Sequence, residues 1–257
     1  FLTNKNPNTP TNRICISLFQ PERLSFILQY AFAYVKTSHG LEKHVMRYPQ
    51  IFATKAIERR LNEGMKKGII WHTQGSGKSL TMVMLAQAIA MEPSIRNPKI
   101  VLVTDRTDLD NQITSTFRKC GRFVENATTG QRLVELLESK SDAVVTTIIN
   151  KFVAAVKKID KPLESHDIFV LVDEGHRTQY GTLNVKMQRV LPTACFIAFT
   201  GTPLMKKEKN TAAKFGGIID SYTVSDAVAD GAVVPLLFEG RSPLFNVNER
   251  PLDNYFN

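Results

Sequence analysis

No apolar run in this sequence reaches the roughly 18 residues that a helix needs to cross a bilayer. Nor does a charged start followed by an apolar core mark a secretory leader; the expectation is a cytoplasmic protein with no membrane partner. Cysteine is scarce. Cys15, Cys120 and Cys195 stand far apart without C-x-x-C spacing, which excludes a disulfide framework and a zinc knuckle. The sequence has no internal repeat and no long low-complexity segment. Negative charge is in the minority: 24 Asp and Glu against 33 Lys and Arg leave a formal charge of +9. That balance favours a polyanion among the partners, and it also serves solubility.

What is present is ordinary for a globular protein. The 257 residues, 43% hydrophobic and 22% charged, suffice for one large domain or two small ones. The chain starts on Phe1 rather than Met and stops on NERPLDNYFN without a terminating element, so the expectation is a piece of a longer protein. Residues 1–20, rich in Asn, Thr and Pro, read as a linker. From Pro21, the residues Leu24, Ile27, Leu28, Ala31, Phe32 and Val35 recur at helical spacing and predict an amphipathic helix that Gly40 ends. A second helix is predicted from about Pro49 to Lys66, followed by the short strand IIW. Strand-like runs at 99–105, 143–148, 168–174 and 195–200 then alternate with helical stretches at 78–91, 108–118, 130–140 and 182–190. Near-continuous apolar strands between helices predict an α/β fold with a mostly parallel sheet covered on both faces. Functional loops in such folds lie at the carboxyl ends of the strands.

The strongest local motif is WHTQGSGKSLTMV, residues 71–83. Glycines at Gly75 and Gly77 let the backbone wrap a phosphate so that its N–H groups and a helix N-terminus face negative charge. Lys78 would reach the β and γ phosphates and the Ser79 hydroxyl would bind Mg²⁺. The regular phosphate-loop pattern has one further glycine, and His72 stands in its place. An ordinary strand-to-helix turn leaves Lys78 and Ser79 together unexplained. The second motif is VLVDEGHRTQYG, residues 170–181. Alone, Asp173 and Glu174 read as a solvated strand end. Beside a phosphate loop they read as a pair in which Asp173 serves the Mg²⁺ and Glu174 positions the attacking water. The methionines of the 78–91 stretch, Met82, Met84 and Met91, read as core packing.

Taken in order, HTQGSGKS, VTDRTDLDNQ, TTIINKF, VDEGHRTQYG and AFTGTPL resemble motifs I, Ia, Ib, II and III of superfamily 2 helicases and translocases. The wording WHTQGSGKSLTM, DRTDLDNQI, DEGHRTQYG and YTVSDAVADGAVVPLLFEGR is similar to the motor (R) subunit of type I restriction enzymes, over roughly residues 20–242. The family usually has alanine where Gly175 stands. The resemblance implies a RecA-like P-loop domain over 46–235. A linker and helical connector over 1–45 would precede it, and residues 236–257 would start the connection to a second RecA-like domain.

The same resemblance assigns Thr73, Gln74, Gly75, Ser76, Gly77, Lys78 and Ser79 to ATP and Asp173 to Mg²⁺. It makes Glu174 the hydrolytic base and His176, Thr200 and Thr202 coupling residues. Gln50, in RYPQ, would read the adenine edge and favour ATP over GTP, since an amide both donates and accepts. Arg106 and Thr147 would hold the phosphate backbone of double-stranded DNA. The basic run 205–210 lies near DNA or is a solvated loop. In such enzymes ATP hydrolysis drives translocation on double-stranded DNA, a separate nuclease domain cuts, and modification and specificity subunits complete the complex. No nuclease arrangement and no later helicase motif is visible in the sequence. An arginine finger from the second lobe is worth roughly 10³ to 10⁵ in rate, so this chain alone is expected to bind Mg-ATP weakly and hydrolyse it poorly. Another superfamily 2 translocase, of type III restriction or remodelling type, is the alternative.

Overall fold

The computed structural model describes residues 15, 17–92, 95, 97–104, 114–120, 123–139, 144–159, 162–163, 167–173, 190–202 and 216–235. Helix α1, Pro21–Tyr30, starts on a proline whose fixed φ suits a first turn. It does not continue to Gly40. Phe32–Thr37 (β1) and Gly40–Val45 (β2) instead form an antiparallel hairpin, with Phe32 opposite Val45 and Thr37 opposite Gly40 across a turn at Ser38 and His39. Over so short a run the helical and strand periods share apolar positions. Here Ala33 is buried while Tyr34 and Lys36 are exposed, and pairing with 40–45 settles the choice.

After helix α2, Tyr48–Asn62, the chain enters the alternation that the sequence predicts. The elements are β3 (Lys67–His72), α3 (Lys78–Met91), β4 (Lys99–Thr104), β5 (Val124–Asn126) and α4 (Gly130–Glu138). They continue with β6 (Val144–Ile148), α5 (Ile149–Val156), β7 (Ile168–Asp173), β8 (Cys195–Thr200), β9 (Ile218–Tyr222) and α6 (Val224–Ala229). Residues 114–119 are also helical. The strands of the main sheet run in the order β5-β6-β4-β7-β8-β3-β9, and every neighbouring pair is parallel.

Alternate residues of each central strand serve opposite layers. Val101, Val103, Val170 and Val172 pack with α4 and α5 on one face. Ile100, Leu102, Phe169 and Leu171 pack with α2 and α3 on the other. Burial on both faces is why these strands are apolar without interruption. Helix α3 is enclosed further, because Met84 joins Phe26, Ile27 and Ala33 of α1 and the hairpin. Met82 and Met84 are core residues, whereas Met91 is exposed. The sequence reading did not foresee β5, α5, β9 or α6. The predicted helix at 182–190 lies outside the described residues except for Val190. Among the described residues no helix is long and apolar enough to cross a membrane.

Two contacts of this framework lead to measurable expectations. At the start of α4, a methyl group on Gly130 would sit 2.9 Å from the Ala155 backbone nitrogen and 3.0 Å from the Ala154 carbonyl carbon. Helix α5 thus rests on bare backbone, and Gly130→Ala is expected to cost about 1–3 kcal/mol by overpacking, read as a lower urea midpoint. Lys99 is buried at the start of β4. Its Nζ donates to the carbonyl oxygens of Leu136 at 2.6 Å and Leu137 at 2.9 Å, and to that of Ser139. These carbonyls close α4 at its C-cap and carry its negative dipole end; that of Leu136 also accepts from Ser139 Oγ at 2.8 Å. Burial lowers the lysine pKa. Lys99→Met fills similar space without a donor and is expected to lower unfolding free energy by about 2–3 kcal/mol; an unchanged urea midpoint would show that water caps α4 equally well.

Candidate nucleotide site

Strand β3 ends at His72, and residues 73–77 turn the chain into α3. Gly75 and Gly77 have φ of +81° and +86°, a region in which a side chain is strained. Gly77 is also the N-cap of α3 and offers no side chain to the first-turn N–H groups. Without a side-chain cap, the first-turn N–H groups and the positive end of the helix dipole together make an anion site. The turn is tied down from outside. Thr73 N donates to the Tyr222 carbonyl oxygen at 2.9 Å, and Ser76 N to that of Thr73 at 3.3 Å. Lys78 Nζ lies 3.4 Å from the His72 carbonyl oxygen and 3.5 Å from that of Thr73, long bonds readily exchanged for charged phosphate oxygens.

The end of β8 is packed against this turn. A methyl on Gly201 would lie 3.4 Å from Gln74 N, 3.5 Å from the His72 carbonyl oxygen and 3.7 Å from Lys78 Nζ. Trp71 Nε1 donates to the Gly201 carbonyl oxygen at 3.1 Å, and Thr202 N to Thr200 Oγ1 at 3.2 Å. Thr200 is fully buried and Thr202 exposed. Asp173 closes β7, the strand beyond β8, and is 7% exposed. Its backbone is level with Phe199, which is level with Ile70 of β3, so two strand spacings, about 10 Å, separate it from β3. Asp173 and Ser79 offer the hard oxygen ligands that Mg²⁺ prefers. Among the described residues no group of three or more His, Cys, Asp or Glu could hold a metal by itself.

Gln50, expected at the adenine edge, is held between two backbone segments. It is 2% exposed; Oε1 accepts from Arg47 N at 2.8 Å, and Nε2 donates to the Gly77 carbonyl oxygen at 3.2 Å. The amide therefore joins the start of α2 to the end of the glycine turn. His72 is fully buried, with Nε2 at 2.8 Å from Asp220 Oδ2 of β9 and its ring edge-on to Tyr222. Among the described residues two buried side-chain polar atoms have no hydrogen-bond partner, His72 Nδ1 and Ser76 Oγ. One closes β3 and the other lies in the turn that follows, the kind of place where a native fold leaves such groups for a ligand. Nearby, Tyr48 and Tyr222 both donate their hydroxyls to Asp230 Oδ2, Tyr222 at 2.9 Å. Burial first, and then the shared carboxylate, raise both phenols above their ordinary range and keep them protonated donors.

The residues from Thr73 to Ser79, together with Gln50, Asp173, Thr200 and Thr202, thus meet at one end of the sheet. Thr147 does not present a surface. Its side chain is fully buried, with the hydroxyl 3.5 Å from the Ile148 carbonyl oxygen, so the hydroxyl expected on DNA is sealed within β6. Arg106, Glu174, His176 and the run 205–210 lie outside the described residues. Sequence reasoning missed Asp220 and the Tyr48–Asp230–Tyr222 cluster. One signal was available: Thr223 and Asp226 form a capping box that marks the start of α6 beside them.

A parallel sheet with a glycine turn entering α3 defines a P-loop α/β domain of the RecA-like kind. Residues 49–257 match the model of the SWI2/SNF2 ATPase family, and the chain belongs to that family; ATP is the nucleotide it implies. It is 34% identical to the Type I restriction enzyme HindI endonuclease subunit of Haemophilus influenzae, over 93% of this chain and 25% of that protein. Identity to the Type I restriction enzyme SsaAORF53P endonuclease subunit of Staphylococcus saprophyticus is 31%, over 74% of this chain and 21% of the relative. The chain therefore spans about a quarter of the length of these relatives. The fold is also similar to a nuclease-deletion mutant of the Type ISP restriction-modification enzyme LlaGI, solved in complex with a DNA substrate mimic. The TM-score there is 0.57 at 16% identity, covering 73% of this chain and 20% of the other.

Proposed function

We propose that this chain is the ATP-binding motor domain of a type I restriction endonuclease subunit. In that reading Mg²⁺-dependent ATP hydrolysis drives translocation along double-stranded DNA, and a nuclease domain elsewhere in the subunit cuts. The observation that carries it is the uncapped start of α3, framed by two left-handed glycines, with Gly201 of β8 packed against Gln74 and Lys78. Lys78 holds the β and γ phosphates, and Ser79 and Asp173 hold Mg²⁺, which neutralises phosphate charge when bound. Glu174 positions the attacking water. Thr200, Thr202 and His176 pass changes at the phosphates to the DNA track; the close approach of Gly201 supports this, because the turn cannot shift without moving the end of β8. Arg106 contributes on the DNA side, and Thr147 shapes the end of β6 there.

Residues 46–235 form the motor domain, 1–45 the linker and connector, and 236–257 the start of the path to a second lobe. Working partners are the modification and specificity subunits, in the cytoplasm. The chain by itself is weakly active. A fluorescent ATP analogue titrated with Mg²⁺ tests the site: saturable binding that ATP competes away is expected, and none at millimolar nucleotide would overturn the assignment of the turn.

A further inference from the structure

A groove of about 470 Å³ lies between the β1–β2 hairpin and the helical segment 114–119, lined by Lys36, Thr114, Ser115, Arg118 and Lys119. Its three charges are all positive and all exposed. Among the described residues none of the three has a hydrogen bond or ion pair. The groove on the outer face of α2 gives the contrast. There Arg23, Lys55 and Arg59 are interleaved with Glu58, Glu63 and Asp220, so that charge is balanced. Among the described residues of the lining no acid accompanies the three cations, and their mutual repulsion is removed by a bound polyanion. Among the described residues of the lining none has an apolar side chain, which disfavours a protein partner, whose interface would need an apolar centre.

The groove also adjoins the part of the sheet where a nucleic acid is expected. Thr114 Oγ1 lies 3.1 Å from Thr146 Oγ1, and Thr146 precedes Thr147 in β6. Thr146 and Thr147 face opposite sides of β6; Thr147 is sealed inside, and the cations of the groove reach outward on the Thr146 side. We infer that Lys36, Arg118 and Lys119, with the exposed Ser115 hydroxyl, form a contact for the phosphate backbone of double-stranded DNA. This rests on the duplex-translocating reading above and adds a surface outside its motifs. Flexible cations on two separate elements hold phosphates without reading bases, which suits a motor that must release and regain its track at every step.

The test combines Lys36→Gln, Arg118→Gln and Lys119→Gln in this chain and measures binding of a fluorescent short duplex across a range of salt. All three positions are exposed, and an ATP-analogue titration checks that the fold and the nucleotide site survive. The control is Lys157→Gln with Lys158→Gln, equally exposed cations at the end of α5. About tenfold weaker duplex binding is expected, with the slope of log affinity against log salt reduced by about 2 to 3, close to one per lost phosphate contact. The control pair should leave that slope unchanged. If the unmodified chain binds duplex and the triple variant keeps the same slope, the groove inference fails and the motor reading stands. If the unmodified chain binds the ATP analogue but no duplex, the DNA reading fails and takes the groove with it. Preference for polyglutamate over duplex would likewise overturn it, in favour of an acidic protein.

Discussion

Lys78→Ala is expected to weaken binding of an ATP analogue by about 100-fold while leaving thermal unfolding unchanged. Two charge-assisted bonds, one to each of two phosphates, are each worth about 1.5 kcal/mol or more, and their joint loss corresponds to about two decades in affinity. The fold loses little, because the bonds from the ammonium to the carbonyl oxygens of His72 and Thr73 are long, 3.4 and 3.5 Å. Asp173→Asn separates the metal from the lysine. It keeps the shape of a buried strand end but removes the charge, so it should lower affinity only when Mg²⁺ is present. Lys78→Ala should act with or without the metal. If Lys78→Ala bound within about threefold of the parent, the glycine turn would not be the phosphate site, since a preorganised cation on phosphate is worth far more than that.

Gln50→Ala should reduce affinity for ATP and GTP by the same factor, about tenfold, and lower stability by about 1–3 kcal/mol. The amide is buried and committed in two directions, to Arg47 N and to the Gly77 carbonyl oxygen. The carbonyl keeps other donors in Thr81 N and Thr81 Oγ1. The stability loss therefore falls on the cap of α2, and the affinity loss on the position of the turn. Gln50→Glu divides the two effects: a carboxylate still accepts from Arg47 N but repels the Gly77 oxygen. It should spare the start of α2 and displace the turn. A variant that lost ATP and kept GTP would mean instead that the amide reads the base, as its position in RYPQ suggests. Competition titrations with both nucleotides distinguish these outcomes directly.

The elements legible in the sequence were those buried on both sides. Helix α3 was expected at 78–91 and spans Lys78–Met91; β4, β7 and β8 were each placed to within a residue. A strand between two helical layers has no polar face, so its apolar run is continuous and its ends are abrupt. The elements that escaped had weaker signals. Strand β5 is three residues long, and β9, IIDSY, is an edge strand with polar residues among its apolar ones. In the hairpin, a run that suited both periods was decided by the neighbour it could pair with.

By itself, the sequence determined the glycine turn and the layered parallel sheet. Backbone that must turn left-handed calls for Gly75 and Gly77, and two-sided burial calls for unbroken apolar strands; both demands act locally and leave their mark in residue type. Only the tertiary structure decided where Gln50 points, that His72 meets Asp220 across the β3–β9 pair, that Thr147 faces inward, and that Lys36 joins Arg118 and Lys119 around one groove. Each of these depends on which distant segments become neighbours. Strand order and register set that, and no single segment carries it in its composition.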